Sequence, residues 1–162
     1  MIIDSHCHLD YEPMFSNLDS VIKRARDSKV DYMLTISVTD KKYDTILDIT
    51  KKFQNVYGTY GIHPHEAKND KVTAKLIIDE INNNKKIIGI GETGLDFYYN
   101  FSDKKDQINS FEEHIKASIK LNLPLIIHCR NAEDETLEIF NKYKNDDLKI
   151  LMHCFTGSKK FA

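Results

Sequence analysis

The sequence predicts an α/β fold built on a parallel sheet, with the connecting helices packed against it. Two observations support this prediction. Short β-branched runs alternate with longer amphipathic stretches along the chain, and six of the seven histidines lie at or just beyond the ends of those runs. Because the carboxyl ends of parallel strands open on one face, these histidines are expected to meet there.

The predicted strands are short apolar runs, of a length typical of strands that are buried on both faces. They cover residues 1–5, 32–37, 56–61, 87–92, 125–129 and 150–154. Between them, apolar residues recur three and four positions apart, which predicts helices with one apolar face. Their apolar positions are Leu18, Val21, Ile22 and Ala25; Tyr43, Ile46, Leu47 and Ile49; Leu76, Ile77 and Ile81; Phe111, Ile115 and Ile119; Leu137, Ile139 and Phe140. The alternative is an open doubly wound sheet, whose nucleotide-binding form needs a glycine-rich turn where this chain has His6-Cys7-His8.

Composition and charge exclude several classes of protein. The chain has 162 residues, of which 41% are hydrophobic and 30% charged, as in a globular domain. Its 23 basic and 25 acidic side chains give a formal net charge of -2, which excludes a basic protein that coats nucleic acid. No apolar run is long enough to cross a membrane, and no secretory signal follows Met1, so we expect a cytoplasmic protein.

The strand ends carry a set of metal-ligating side chains. His6 and His8 alternate, so both imidazoles can point to one face. Glu92 ends an apolar strand between small residues, where a carboxylate must be paired, metal-bound or catalytic. His128 and His153 follow at spacings close to one strand–helix repeat. One four-coordinate ion with an open position needs fewer than five ligands, so we predict two divalent ions bridged by Glu92. Imidazole and carboxylate ligands are compatible with Zn, Mn, Fe or Co.

Other polar residues follow the same strand ends. His63 and His65 flank a proline. They either contact substrate, support the metal ligands by hydrogen bonding, or are polar residues of a rigid turn. Arg130 suits bidentate contact with a phosphate. Its alternative is a surface salt bridge with Glu133 or Asp134.

A carboxylate and an aromatic segment come directly after Glu92. Asp96 either orients a metal ligand or caps its own turn. The aromatic residues that follow either give nucleobases a stacking surface or hold their loop against the protein. They are Phe97, Tyr98, Tyr99 and Phe101.

The remaining histidine and the cysteines are assigned to packing. His114 lies in a helical pattern, where we expect a solvated or partly packed ring. Cys7, Cys129 and Cys154 each follow a histidine, so alternation points them away from the site, toward the interior.

Taken in order, these motifs resemble those of the TatD family of metal-dependent deoxyribonucleases. The matching stretches are Ile3-Asp4-Ser5-His6-Cys7-His8-Leu9-Asp10, Gly61-Ile62-His63-Pro64-His65, Gly91-Glu92-Thr93-Gly94-Leu95-Asp96-Phe97, His128-Cys129-Arg130 and His153-Cys154-Phe155-Thr156-Gly157. The resemblance implies a TIM-like (β/α) barrel, with about six of eight βα units in residues 1–162, and cleavage of phosphodiester bonds from a DNA end. It also implies Mg as an activating ion.

The resemblance further implies a role for each motif residue. In the implied scheme His6 and His8 hold one ion, Glu92 bridges as the catalytic carboxylate, and His128 and His153 hold the second. His63, His65 and Arg130 are the implied substrate-binding residues.

The family's later aspartate motif has no counterpart before Ala162. We therefore expect these residues to be the N-terminal part of a metal-dependent hydrolase domain, which further residues or another chain complete. The oligomeric state is open, and we expect weak or no activity from these residues alone. Two other functions remain: an amide or ester hydrolase that uses the same site, and an inactive, truncated metal-binding remnant.

Overall fold

Six parallel strands form one sheet in the order in which they occur along the chain, in a computed structural model that describes residues 1–162. The strands are β1 (Ile2–Cys7), β2 (Val30–Thr35), β3 (Val56–Tyr60), β4 (Ile87–Asp96), β5 (Leu125–Arg130) and β6 (Ile150–Met152). The helices between them are α1 (Leu18–Asp27), α2 (Tyr43–Lys52), α3 (Ala74–Asn82), α4 (Lys104–Leu121) and α5 (Glu133–Lys142). All neighbouring strands pair in parallel, so the predicted α/β class is confirmed.

The helices bury the apolar faces that the spacing predicts. Ile77 and Ile81 of α3, and Phe111 and Ile115 of α4, are buried against the central strands. Helix α4 ends where Asn122 takes a left-handed conformation, with φ 54°, which asparagine tolerates better than most residues. No helix of the chain combines the length and apolar character that a membrane crossing needs.

Strands β1 and β6 are the edges of the sheet, and there the expectation of burial on both faces was wrong. Ile2 and Ile3 are 53% and 52% exposed, because β1 has a neighbour on one side only. Ile150 and Leu151 of β6 are exposed for the same reason. The sheet nevertheless curves strongly, since the rings of His6 and His153, which belong to opposite edges, stack with centroids 4.0 Å apart. The six strands thus form part of a barrel.

Two glycines of β4, on either side of Glu92, allow the backbone of β5 to approach β4 closely. Gly91 and Gly94 both have φ of +130°, where side chains are strained. A Cβ on Gly91 would lie 2.3 Å from the carbonyl oxygen of Ile126, and one on Gly94 would lie 2.1 Å from that of His128. Strand β4 also continues to Asp96, four residues beyond the predicted end at Glu92.

Candidate metal centre

Glu92 lies at the centre of the carboxyl face of the sheet, and its side chain is buried among imidazoles. Its Oε2 atom is 3.4 Å from Nε2 of His6 and 3.9 Å from Nε2 of His8. His6 lies in β1 and His8 directly follows it, and both rings come to this side, as the sequence predicts. The two rings meet edge to face, with centroids 5.2 Å apart.

The other carboxylate oxygen of Glu92 faces three imidazoles from later strands. Oε1 lies 2.7 Å from Nε2 of His153 and 3.2 Å from Nδ1 of His128. Nε2 of His63 is 3.6 Å away. His128 belongs to β5, whereas His153 follows directly after β6, which ends at Met152 rather than at the predicted residue 154. All the residues that the sequence predicts as ligands therefore meet at Glu92.

Two sets of donor atoms are close enough to hold an ion, and Glu92 belongs to both. The ligand atoms of His6, Glu92 and His153 all lie within 4.8 Å of one another, as do those of His63, Glu92 and His128. His63, which the sequence assigns to substrate, thus joins a potential ligand set. His8 is adjacent to these sets but belongs to neither. Motif spacing could not indicate this, because His63 lies in the turn after β3, where alternation no longer fixes direction.

The donor set fits divalent metal ions, judged by polar atoms that the protein leaves without partners. Both ring nitrogens of His6, and Nδ1 of His8, are buried without a hydrogen bond. A buried polar atom without a partner costs about 1–3 kcal/mol, so such atoms normally have a hydrogen-bond partner or bind a metal ion. Neutral imidazole nitrogens and a carboxylate are ordinary ligands of divalent transition metals.

Electrostatics favours the protonation states that metal ligands need at Glu92, His63 and His8. Burial opposes ionisation of Glu92, but the surrounding rings of His128, His153, His6 and His63 outweigh it and hold its pKa below the ordinary value. Burial lowers the pKa of His63 to about 3 and also lowers that of His8. Glu92 is therefore a carboxylate, and His63 and His8 are neutral imidazoles, at pH 7. For His128, burial is outweighed by Glu92 and Asp96, which raise its pKa above the ordinary value.

Asp96 connects this cluster to the next loop and performs both roles that the sequence left open. Its Oδ2 atom is 2.8 Å from Nε2 of His65 and 3.0 Å from Nε2 of His128. Its Oδ1 atom accepts hydrogen bonds from the backbone N–H groups of Tyr98 and Tyr99, both at 3.0 Å. Asp96 is fully buried, and both oxygens are used.

Arg130 projects from the end of β5 at the edge of the cavity above the cluster. Its guanidinium lies 4.3 Å from the ring centroid of Tyr98 and 4.7 Å from that of Tyr99. The predicted alternative of a salt bridge is not formed, since Glu133 instead accepts hydrogen bonds from Ser158. The cavity has a volume of about 940 Å³, enough for a small ligand or a terminal nucleotide.

Two packing predictions need correction. Cys154 is exposed at the rim of the cavity, because β6 ends before it and alternation no longer applies. His114 is fully buried instead of solvated or partly packed. Its Nε2 accepts a hydrogen bond from the backbone N–H of Ile62, next to His63, and its Nδ1 is 2.6 Å from the carbonyl oxygen of Ser110.

Sequence reasoning missed Gln107, which fixes the loop after β4. Its Oε1 accepts a hydrogen bond from the backbone N–H of Asp96, and its Nε2 donates to the carbonyl oxygens of Asp96 and Ser102. The available signal was a polar residue four positions before Phe111, on the buried face of α4.

The family model described as "TatD related DNase" matches residues 3–162. The chain belongs to the TatD-related DNase family. An uncharacterized metal-dependent hydrolase of Buchnera aphidicola from Acyrthosiphon pisum is 36% identical over 170 residues, which cover 99% of this chain and 64% of that protein. A protein named 3'-5' ssDNA/RNA exonuclease TatD, from Cronobacter turicensis, is 32% identical over 89% of this chain and 55% of its own length.

Solved structures of other TatD-family proteins share the fold. The TatD homologue YJJV of Escherichia coli superposes with a TM-score of 0.87 at 22% identity, over 99% of this chain and 62% of the other. A TatD family hydrolase of Entamoeba histolytica gives 0.85 at 24% identity, over 99% of this chain and 60% of the other. The chain thus spans less than two thirds of the length of these TatD relatives, and its fold is the corresponding part of their barrel.

Proposed function

We propose that this TatD-family chain provides the metal centre of a hydrolase that cleaves phosphodiester bonds at the end of a DNA strand. The observation that carries the proposal is Glu92, a buried carboxylate whose two oxygens face separate groups of imidazoles. Similarity to relatives named as metal-dependent hydrolases and to one named as an exonuclease supports the same assignment. We assign His6, His8, His63, His128, His153 and Glu92 as the candidate ligands of two divalent ions, which we expect to be Mg, Mn or Zn.

Divalent ions bound at these ligands would supply charge stabilisation for a phosphate and activation of a water molecule. The chain's own residues position the substrate. Arg130 has a guanidinium with no salt-bridge partner, and its N–H donors match the oxygens of a phosphate. Asp96 fixes the rings of His65 and His128 on one carboxylate oxygen, so their orientation is set before substrate arrives.

The first test is metal binding. Calorimetric titration of the metal-free chain with Zn²⁺ or Mn²⁺ should show binding of two ions, and Glu92→Gln should weaken it strongly, because this change removes the shared charged ligand. Lys142→Gln, at a surface ion pair with Glu112, is the control and should bind metal like the wild type. Undiminished binding by Glu92→Gln would overturn the assignment of Glu92.

The second test is hydrolysis. We expect slow, metal-dependent release of nucleotides from end-labelled DNA, abolished by EDTA and by Glu92→Gln. Weak or no cleavage by residues 1–162 alone is expected, so the refuting result is metal binding without any cleavage by a chain that has all eight βα units, which would favour the inactive remnant. Turnover of a cyclic amide in place of DNA would favour the amidohydrolase alternative.

A further inference from the structure

The loop after β4 exposes three aromatic side chains beside the metal centre. Tyr98, Tyr99 and Phe101 are 54%, 47% and 54% exposed. The rings of Tyr99 and Phe101 lie nearly parallel, at an interplanar angle of 13° and a centroid distance of 5.7 Å. Tyr98 meets Tyr99 edge to face at 4.8 Å. We call these three residues with Arg130 the aromatic platform.

These exposed rings are not what holds the loop in place. Asp96 binds the backbone N–H groups of Tyr98 and Tyr99, and Gln107 binds the carbonyl of Ser102. The Ser102 hydroxyl donates to the carbonyl oxygen of His65 and accepts from the backbone N–H of Lys68. Of the four aromatic residues, Phe97 packs against the hydrophobic core and so anchors the loop, whereas Tyr98, Tyr99 and Phe101 remain exposed.

The platform is continuous with the proposed metal ligands. The ring of His65 lies 4.8 Å from that of Phe101 and 5.6 Å from that of Tyr99. On its other side, His65 is 4.3 Å from His63, whose Nε2 approaches Glu92. A ligand on the platform is therefore adjacent to the cavity above the cluster.

The chemistry of the platform matches one kind of ligand. Flat, half-exposed aromatic rings can stack on any nucleobase, so each ring can bind one base. Arg130 adds a cation with free donors directly over two of these rings, where a backbone phosphate would neutralise it. Bases in a duplex are already stacked on one another, so the platform suits a strand whose end is unpaired.

We propose that the aromatic platform binds the unpaired terminal bases of a single-stranded nucleic acid and so directs its end to the metal centre. The inference rests on the proposed function, because the metal centre defines where the strand must lead. It adds a binding subsite and a preference for strand ends that carry bases.

Fluorescence can test stacking without catalysis, because the chain has no tryptophan. In Tyr99→Trp, the new indole should be quenched when a short single-stranded oligothymidylate is added in EDTA. Tyr57→Trp is the matched control, since Tyr57 also lies under a cation, with Lys86 Nζ 4.3 Å from its centroid, but at the opposite end of the sheet. Equal responses at both positions would overturn the proposal.

Affinity provides the second measurement. Tyr99→Ala and Phe101→Ala should each bind the oligothymidylate about 5- to 150-fold more weakly, which is the loss of one stacked base, whereas Tyr99→Phe should bind like the wild type. An oligonucleotide with abasic sites at its end should bind the wild type as weakly as the alanine variants. If the abasic strand binds as tightly as the intact strand, the platform does not bind bases.

The outcomes separate this proposal from the proposed function. Base-dependent binding of the oligonucleotide, together with no metal-dependent cleavage by a chain that has all eight βα units, would refute the nuclease and still support the aromatic platform. If Tyr99→Ala and Phe101→Ala leave the rate of DNA cleavage unchanged, the proposal for the aromatic platform is refuted and the proposed nuclease function stands. Self-association that Phe101→Ala abolishes, with no effect on oligonucleotide binding, would assign these rings to a protein interface and overturn the proposal.

Discussion

Protonation of His114 should make the stability of this TatD-family chain fall steeply in mild acid. Its Nε2 accepts the backbone N–H of Ile62 and therefore cannot carry a proton, and the ring is fully buried. Burial lowers the pKa of His114 from 6.5 to about 4. Below pH 6.5 the unfolded chain takes up a proton that the folded chain does not, so stability is complete above this value and decreases down to about pH 4.

The magnitude follows from the pKa difference. At about 1.4 kcal/mol per unit, a shift from 6.5 to about 4 removes roughly 3 kcal/mol of unfolding free energy. Other buried histidines near Glu92 add to the total acid loss, so the measurement must isolate His114. In His114→Gln, an amide oxygen can still accept the Ile62 N–H, but the side chain does not titrate.

The assay is urea unfolding, followed by circular dichroism, of both proteins from pH 8 to pH 4 under one set of buffers. The difference in unfolding free energy should be constant above about pH 7 and should then change by roughly 3 kcal/mol in favour of the glutamine variant. A difference that does not change with pH would refute the neutral, buried state of His114.

Three further predictions concern the centre itself. Gly94→Ala should cost about 2–5 kcal/mol in urea unfolding, because its Cβ would meet the His128 carbonyl oxygen at 2.1 Å with φ at +130°. Gly89→Ala should cost less, because its Cβ would meet side-chain atoms first, Ile126 Cδ1 at 2.7 Å and Thr59 Cγ2 at 3.3 Å. Asp96→Asn should weaken metal binding about 10- to 100-fold in calorimetry, since it removes the charge that orients His128; an unchanged affinity would contradict this role. Zn²⁺ at about 100 times its dissociation constant should stabilise the folded chain by about 2.7 kcal/mol, and Glu92→Gln should abolish this effect in thermal unfolding.

The sequence predicted the elements well because their signals are local. All six strands and five helices lie where β-branched runs and three-to-four spacing indicate them. The expectation failed at β1 and β6, because a strand's own residues do not reveal whether a neighbour lies on each side. The apolar sequence at Ile2 and Ile3 predicts a buried strand, although both residues are exposed.

The candidate site was predictable where strand geometry determines the direction in which a side chain points. Alternation correctly brings His6 and His8 to one face, and chain order brings His128 and His153 to one rim. In turns the direction of a side chain cannot be predicted from alternation. Cys154, which follows β6, was therefore assigned to the interior although it is exposed. The position of His114 depends on a contact with a backbone N–H 52 residues away, which no local pattern encodes.

The centre also explains how a sheet with two open edges can hold a defined shape. His6 comes from β1 and His153 follows β6, yet both rings contact the carboxylate of Glu92 and stack on each other. Both ring nitrogens of His6 are buried and make no hydrogen bond within the protein. An ion held by His6, Glu92 and His153 would engage one ring nitrogen of His6 and would join the first strand to the last through the middle of the sheet. If the proposed ions bind, the metal centre would therefore have a structural role as well as a chemical one, since its ligands come from the two edges that no backbone hydrogen bond joins.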